Sequence, residues 1–181
     1  MNKEQVIGNT TTYVREKLEG EGSGHDWWHI DRVWHNAKNI GEQEGVDMFI
    51  VELAALLHDI SDWKFNDGDE SVGPRIAGEW LESQGVDEET IQMIKEAIED
   101  VSFKGAKVHK GVRSKEGEVV QDADRLDAIG AIGVARCFAY GGHKGMEIYN
   151  PDVKPVFHET AEEYKNNKSS SINHFYETLL M

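Results

Sequence analysis

Cysteine and proline are scarce in this chain of 181 residues, which contains one cysteine and three prolines. Because Cys137 stands alone, the sequence excludes an intramolecular disulfide and a zinc site built from several cysteines. Such thiol-poor composition is typical of a reducing compartment, and we expect a cytoplasmic protein. The first residues also lack the apolar segment of a secretory signal peptide.

Basic residues and long apolar runs are scarce as well. The chain has 19 Lys and Arg against 34 Asp and Glu, which gives a net charge of −15. Because DNA and RNA are bound through Lys and Arg, this balance argues against a nucleic-acid polymer as partner. The longest apolar stretch, 49–57, contains Glu52 and is far shorter than the ~20 residues of a membrane span, so we expect no membrane partner.

Strand signals are nearly absent, whereas helical periodicity recurs along the chain. Asp47 and Asp87 are placed to cap helices, and Gly45 to end one. The sequence predicts an all-α fold, a single domain over 1–181, with a long irregular loop over 143–168. The predicted helices cover 3–18, 25–44, 48–58, 74–85, 88–102, 118–140 and 170–181. The last helix lacks a stop signal, which suggests further residues after Met181.

Two histidines four residues apart, His25 and His29, share one face of the second helix. With a glutamate after the first histidine this would be the zinc-protease pattern, but Asp26 stands there with a shorter reach, which disfavours that interpretation. His29 lies one turn before Val33 on the inward stripe, and Arg32 shares its side of the helix.

His58 and Asp59 end the apolar third helix, where two polar groups are costly to bury. An isolated pair of this kind is usually a helix-dipole partner followed by a cap. Asp62 favours a functional interpretation of the pair, because it lies on the same side as Asp59 if the helical turn continues. Lys64 adds a cation beside the two carboxylates.

Three carboxylates, Asp122, Asp124 and Asp127, fall within six residues of one predicted helix. Like charges so close repel one another, and a bound divalent cation would remove the conflict. Histidine nitrogen with carboxylate oxygen is a ligand set that suits Zn, Mn, Fe, Co or Ni rather than Ca.

The order His29, His58-Asp59 and Asp124 resembles the HD-domain phosphohydrolase superfamily. Three motifs in this order look like the small bacterial stand-alone branch of that superfamily, and the segment 174–177 is similar too. The motifs are His-x-x-Arg-Val (29–33), His-Asp-Ile-x-Asp (58–62) and Gln-Asp-Ala-Asp-Arg-Leu-Asp-Ala-Ile-Gly-Ala (121–131). The resemblance covers residues 24–140, which leaves 141–181 as the long loop and the C-terminal helix.

The resemblance implies an all-helical HD domain that holds one divalent metal ion (Mn, Mg, Ni, Fe, Co or Zn). The implied ligands are His29, His58, Asp59 and Asp124. Asp62 stands where several nucleotide-acting relatives have a catalytic glutamate, so we expect it to be the catalytic group.

Three basic residues are candidates for binding substrate. We expect Arg32 and Lys64 to contact phosphate. Arg125 follows the metal aspartate as in nucleotide-hydrolysing relatives, and phosphate contact and a structural ion pair with Asp122 or Glu118 both stay open for it.

The implied activity is metal-dependent hydrolysis of a small phosphorylated substrate. The most specific expectation is a nucleoside triphosphate cleaved to monophosphate and pyrophosphate. A phosphodiesterase or alarmone hydrolase is one alternative, although Asp62-Trp63 replaces the Glu-Asp dyad of alarmone hydrolases. A non-catalytic nucleotide sensor is the other, and the complete ligand set favours an enzyme over it.

The segment 103–115 contains five basic residues and no acid, so the rest of the chain has 14 basic against 34 acidic residues. A solvated loop is the usual interpretation of such a run. The alternative is a rim that attracts an anionic substrate toward a metal site. The basic residues are Lys104, Lys107, Lys110, Arg113 and Lys115.

Overall fold

A computed structural model describes residues 2–20, 26–61, 69, 71–101, 112–157 and 169–180. Within these residues the chain is helical and has no β-strand, which confirms the predicted all-α class. The helices are α1 (Lys3–Leu18), α2 (Trp27–Glu44), α3 (Met48–Leu57), α4 (Val72–Ser83), α5 (Glu88–Val101), α6 (Lys115–Ile129), α7 (Ala131–His143), α8 (Ser171–His174) and a π-helical turn (Phe175–Leu179).

Short polar side chains cap the N-terminal ends of several helices, among them α2, α3 and α5. The carboxylates of Asp47 and Asp87 accept hydrogen bonds from backbone N–H groups in the first turns of α3 and α5, as predicted. Asp26 does the same for α2. Gly45 ends α2 in the left-handed conformation, with φ of 68°, which glycine adopts without strain.

The prediction of one helix over 118–140 is wrong, because Gly130 divides it into α6 and α7. Gly130 has an extended ψ of 167° and begins α7 as its N-cap. A Cβ at Gly133 would collide with the backbone carbonyl oxygens of Asp127 and Ala128, so α7 begins in close contact with the end of α6. Glycine at position 133, which has no Cβ, makes this close contact sterically possible.

The chain divides into two compact units, one of residues 1–102 and 112–124 and the other of 103–111 and 125–181. Helix α6 begins in the first unit and ends in the second. The organisation of 1–181 as a single HD-type domain stays a prediction.

The core of the first unit is built around α3, which packs against α1, α2 and α5. From Phe49 to Leu57 every α3 side chain except that of Glu52 is buried. Glu52 accepts a hydrogen bond from the Trp34 indole at 2.9 Å and pairs with Lys38 at 3.7 Å, so its charge is compensated at the edge of the core. This packing fixes the start of α2 and the end of α3, which carry the candidate site.

The second unit contains α7, α8 and the π-helical turn. The buried carboxylate of Glu177 accepts hydrogen bonds from the backbone N–H of Val156 and the hydroxyl of Ser169, which ties the end of the described chain to the segment after α7. In the part of the chain that the structure describes, we find no helix of the length and apolar character that crossing a membrane requires.

Candidate metal centre

His29 is buried in the first turn of α2, with 1% of its side chain exposed. Its backbone N–H donates to the carboxylate of Asp26 at 2.9 Å, so the helix cap and the site residue share one turn. Ile30 and Val33 on the same helix are fully buried, and their packing holds this turn of α2 against the core. The predicted inward orientation of His29 is what the structure shows.

His58 follows the last residue of α3, with 2% of its side chain exposed. Its Nδ1 lies 2.8 Å from the carbonyl oxygen of Ala55. Because a carbonyl only accepts, Nδ1 carries the hydrogen and Nε2 is left with a lone pair. Nε2 is buried and makes no hydrogen bond within the described residues.

The two imidazoles and two carboxylates meet at one point. Nε2 of His29 lies 3.4 Å from Oδ2 of Asp59 and 3.3 Å from Oδ1 of Asp124. Nε2 of His58 lies 3.5 Å and 3.9 Å from the same two oxygens. Asp59 comes from the turn after α3 and Asp124 from α6, so three separate segments of the first unit build the cluster.

The two distances from His29, 3.3 and 3.4 Å, match the spacing of ligands around one divalent metal ion, and the two from His58, 3.5 and 3.9 Å, are longer. Two ligand atoms that each lie ~2.1 Å from one ion are about 3.0–3.4 Å apart in tetrahedral or octahedral geometry. His29, His58 and Asp59 each present one atom within 4.8 Å of the others and form a candidate site for a divalent ion. The lone pair of His58 Nε2 is a buried polar group that a metal would satisfy.

The electrostatics of the cluster favour a charged carboxylate at Asp124. Burial alone raises the pKa of Asp124, but in the absence of a metal ion a hydrogen bond from His29 and the electrostatic attraction of His58 and His29, when these carry a proton, outweigh burial and leave its pKa below the ordinary value. The neighbouring charge of Asp59 acts in the opposite direction. An ionised Asp124 is the form that binds a metal ion.

The structure describes two of the other four predicted site residues. Arg32 lies three residues after His29 on α2, and Arg125 directly follows Asp124 on α6; both are half-buried. Asp62 and Lys64, the predicted catalytic and phosphate-binding residues that follow the His-Asp pair, lie outside the described residues.

The acidic cluster of α6 is divided among three environments. Asp124 joins the cluster around His29, Asp122 is exposed, and Asp127 is buried. Asp26, the residue in the glutamate position of the zinc-protease pattern, is used as the N-cap of α2. The Asp26 carboxylate therefore caps the helix, which agrees with the expectation that this segment is not a zinc-protease motif.

Arg113, one of the basic residues of the 103–115 segment, pairs with two acidic side chains. Arg113 lies 3.0 Å from the carboxylate of Asp100 and 2.9 Å from that of Glu99. Its charge is therefore balanced locally and does not contribute freely to a basic rim. Lys104, Lys107 and Lys110 lie outside the described residues.

Sequence reasoning assigned no role to Gln121, which is 6% exposed on α6 and donates to the backbone carbonyl of Asp100. The sequence signal that could have indicated a buried role was its position between the apolar residues Val120 and Ala123, three residues before Asp124. The carbonyl of Ala55, which orients His58, gives no sequence signal because every residue has one.

An all-helical fold with two imidazoles and two carboxylates converging on a single point defines a class of metal-binding hydrolases. The sequence matches the HD domain family over residues 27–129, which is more than half of the chain. The chain belongs to the HD family, and it is a metal-dependent hydrolase of that superfamily.

Known proteins of similar sequence and structure support this assignment. YpgQ of Bacillus subtilis, an uncharacterised protein, is 43% identical over 148 residues, which cover 81% of this chain and 72% of YpgQ. A crystal structure of YpgQ in complex with ADP matches with a TM-score of 0.72 and 35% identity, covering 99% of this chain and 80% of that one.

Two further crystal structures cover 99% of this chain. A protein of Lactobacillus plantarum has a TM-score of 0.85 and 37% identity, and 82% of its chain is covered. An HD-superfamily hydrolase of Bacillus thuringiensis has a TM-score of 0.71 and 42% identity, and 81% of its chain is covered.

Proposed function

We propose that this protein is a metal-dependent phosphohydrolase that cleaves a nucleoside triphosphate into a monophosphate and pyrophosphate. The observation that carries the proposal is the convergence of His29, His58, Asp59 and Asp124, with nitrogen-to-oxygen distances of 3.3–3.9 Å. The nucleotide class is supported by the related YpgQ, whose crystal structure is a complex with ADP.

In this proposal the four residues around the cluster bind one divalent ion. What such an ion supplies is a bound water of lowered pKa, toward about 7 in the best zinc cases, and compensation of charge on the phosphate under attack. His58 donates its Nδ1 hydrogen to Ala55 and so presents the unprotonated Nε2. Asp59 and Asp124 contribute the negative charge that attracts a cation, since two neutral imidazoles carry none.

The remaining residues keep the roles inferred from the sequence. Asp62 accepts a proton from the attacking water or donates one to the leaving oxygen. Arg32 and Lys64 hold phosphate oxygens through charge-assisted hydrogen bonds, and Arg125 is a third candidate for that contact. Water attacks the α-phosphorus, the bond from that phosphorus to the oxygen bridging it to the β-phosphorus breaks, and pyrophosphate leaves.

A screen of the purified protein tests this function. Nucleoside triphosphates, cyclic nucleotides, alarmones and simple phosphate esters are each incubated with Mn²⁺, Mg²⁺, Ni²⁺ or Zn²⁺, and the products are identified by ³¹P NMR. We expect equal amounts of monophosphate and pyrophosphate from a triphosphate. We expect Asp59→Ala to abolish this reaction and Asp122→Ala, which changes an exposed aspartate, to retain it.

The other outcomes contradict the proposal in different ways. Release of orthophosphate would place the cleavage at the γ-phosphorus. Turnover of cyclic nucleotides or alarmones alone would favour the alternative hydrolases, and tight nucleotide binding without turnover under any metal would favour a sensor. An Asp59→Ala variant with unchanged activity and metal content would show that the site is elsewhere.

A further inference from the structure

Asp124 lies on α6, whereas the other candidate ligands lie on α2 and at the end of α3. The face of α6 that packs into the first unit is apolar, with Val119, Val120 and Ala123 buried. Gln121 lies within this buried stretch, with only 6% of its surface exposed. A buried amide in such a stretch is costly unless it is hydrogen-bonded, so its partner is informative.

Gln121 donates from Nε2 to the backbone carbonyl of Asp100, at 2.7 Å. Asp100 is the penultimate residue of α5, and the last four carbonyls of an α-helix have no acceptor role inside the helix. The hydrogen bond therefore satisfies a helix end and a buried amide together, and it joins α6 to the C-terminus of α5.

The side chain of Asp100 makes a second connection, from α5 to the residues just before α6. Its two oxygens accept hydrogen bonds from the backbone N–H of Arg113, at 2.9 Å, and from Nε of Arg113, at 3.0 Å. The Arg113 guanidinium also donates to Glu99 and to the carbonyl of Glu96, both at 2.9 Å. We call the three residues Asp100, Arg113 and Gln121 the α5–α6 anchor.

We infer that the α5–α6 anchor is a positioning device for the metal ligand Asp124, with Gln121 as its principal residue. Gln121 and Asp124 are three residues apart, so they lie on neighbouring positions of one helix face, ~4.5 Å apart along the axis. The inference rests on the proposed function, because it assigns Gln121 a role toward the proposed metal ion.

Apolar burial alone does not fix the rotation of α6, because the hydrophobic effect is non-directional. A carboxylate lies about 5–6 Å from the helix axis, so a 20° rotation would displace it by about 2 Å. Metal–ligand distances are held to about 0.2 Å. The directional hydrogen bond of Gln121, one turn from Asp124, opposes this rotation.

The test is the affinity for Mn²⁺ alone, measured by titration and by the EPR spectrum of the bound ion. Gln121→Leu replaces the amide with an apolar side chain of similar size. Gln92→Leu is the matched control, because Gln92 is an exposed glutamine of α5 whose amide donates to the Glu96 carboxylate at 2.8 Å, whereas Arg113 contacts the backbone carbonyl of Glu96. All variants are measured well below their melting temperatures, which circular dichroism establishes.

We expect Gln121→Leu to weaken Mn²⁺ binding by about 10-fold, the lower end of the loss that follows removal of a group bonded directly to a metal ligand, because Gln121 acts on Asp124 through the position of α6. We also expect the EPR spectrum to change. Gln92→Leu should bind Mn²⁺ like the unaltered protein. Arg113→Lys keeps the positive charge but loses the guanidinium fork, and we expect it to weaken Mn²⁺ binding by a smaller factor.

Folded Gln121→Leu and Arg113→Lys proteins with unchanged Mn²⁺ affinity and EPR spectrum would overturn the inference, even if both melted earlier, because the anchor would then be purely structural. The proposed function would survive that result, provided that Asp124→Ala still lost the ion. If the unaltered protein failed to bind Mn²⁺, the proposed site and the inference would both be wrong.

Discussion

A single backbone contact decides which nitrogen of His58 faces the candidate metal centre. The carbonyl of Ala55, one turn earlier on the chain, accepts from Nδ1 and leaves Nε2 as the nitrogen with a lone pair. Metal-binding histidines are usually oriented in this way by a hydrogen bond from their second nitrogen. The end of its own helix therefore turns Nε2 of His58 toward the candidate metal centre.

Burial distinguishes the two neighbouring aspartates of α6. Asp124 lies 3.3 Å from Nε2 of His29, whereas Asp122 is exposed. We expect Asp124→Ala to weaken Mn²⁺ binding by more than the 10–100-fold that follows the loss of an outer partner, because it removes a proposed direct ligand. Asp122→Ala removes the same charge two residues away and should leave the affinity within about twofold.

Isothermal titration calorimetry of both variants checks this prediction. Equal losses of affinity in Asp122→Ala and Asp124→Ala would mean that the net charge of α6, rather than direct ligation, controls binding. Retained affinity in Asp124→Ala would remove it from the proposed ligand set.

At the scale of the helices, the site depends on how α2 begins. The carboxylate of Asp26 accepts the backbone N–H of His29 at 2.9 Å, so the N-cap and the buried imidazole belong to the same turn. Short polar caps of this kind replace the missing hydrogen bonds of a helix start. A helix that frays at this end would also loosen His29.

We expect Asp26→Ala to lower the free energy of unfolding by about 1 kcal/mol, because the cap is lost. For a protein of this size that corresponds to a decrease in melting temperature of about 2–4 °C. Asp26→Asn keeps an acceptor oxygen at the cap and should restore most of the stability. Thermal denaturation followed by circular dichroism measures all three proteins.

The outcome of Asp26→Asn separates the cap from the charge. If Asp26→Asn is as unstable as Asp26→Ala, the carboxylate acts through its charge on the helix dipole rather than through the cap hydrogen bond. If neither variant is destabilised, the start of α2 is held by the packing of Ile30 and Val33 alone.

At the scale of the whole molecule, the net charge of −15 opposes the approach of an anionic nucleotide. The pairing of Arg113 with Glu99 and Asp100 removes one cation from the basic segment that could offset this repulsion. A divalent ion between Asp59 and Asp124 would place positive charge where the proposed chemistry needs it. Binding of metal and binding of substrate should therefore be coupled.

Metal binding should also stabilise the folded chain, because the ligands come from segments that are distant in sequence. At a Mn²⁺ concentration of 100 times the dissociation constant, the expected gain is about 2.7 kcal/mol. This gain corresponds to an increase in melting temperature of about 5–11 °C for a protein of this size. Differential scanning calorimetry with Mn²⁺, and then with excess EDTA, measures the shift and its reversal.

Asp124→Ala provides the control for this stabilisation. Its melting temperature should respond to Mn²⁺ much less than that of the unaltered protein. An equal increase in both proteins would indicate that Mn²⁺ binds to other acidic groups of this strongly negative surface.

The sequence by itself determined the helical class and most of the helix ends. Asp47, Asp87 and Gly45 mark boundaries through local hydrogen bonds and backbone conformation, which depend on nearby residues only. The order of His29, His58-Asp59 and Asp124 indicated the HD family, because three short motifs in one order are a specific pattern. The break at Gly130 was missed, since α6 and α7 are both compatible with helical periodicity.

Only the tertiary structure decided which polar groups meet. Charge and spacing alone do not distinguish Asp124 from Asp122 and Asp127, and the packing of α6 in the first unit brings Asp124 to the imidazoles. Gln121 is hydrogen-bonded to Asp100 of α5, which lies 21 residues earlier in the chain. Local sequence encodes helices through hydrogen bonds over a few residues. A metal centre requires contacts between distant segments, and those distances are set by tertiary packing and by hydrogen bonds between the segments.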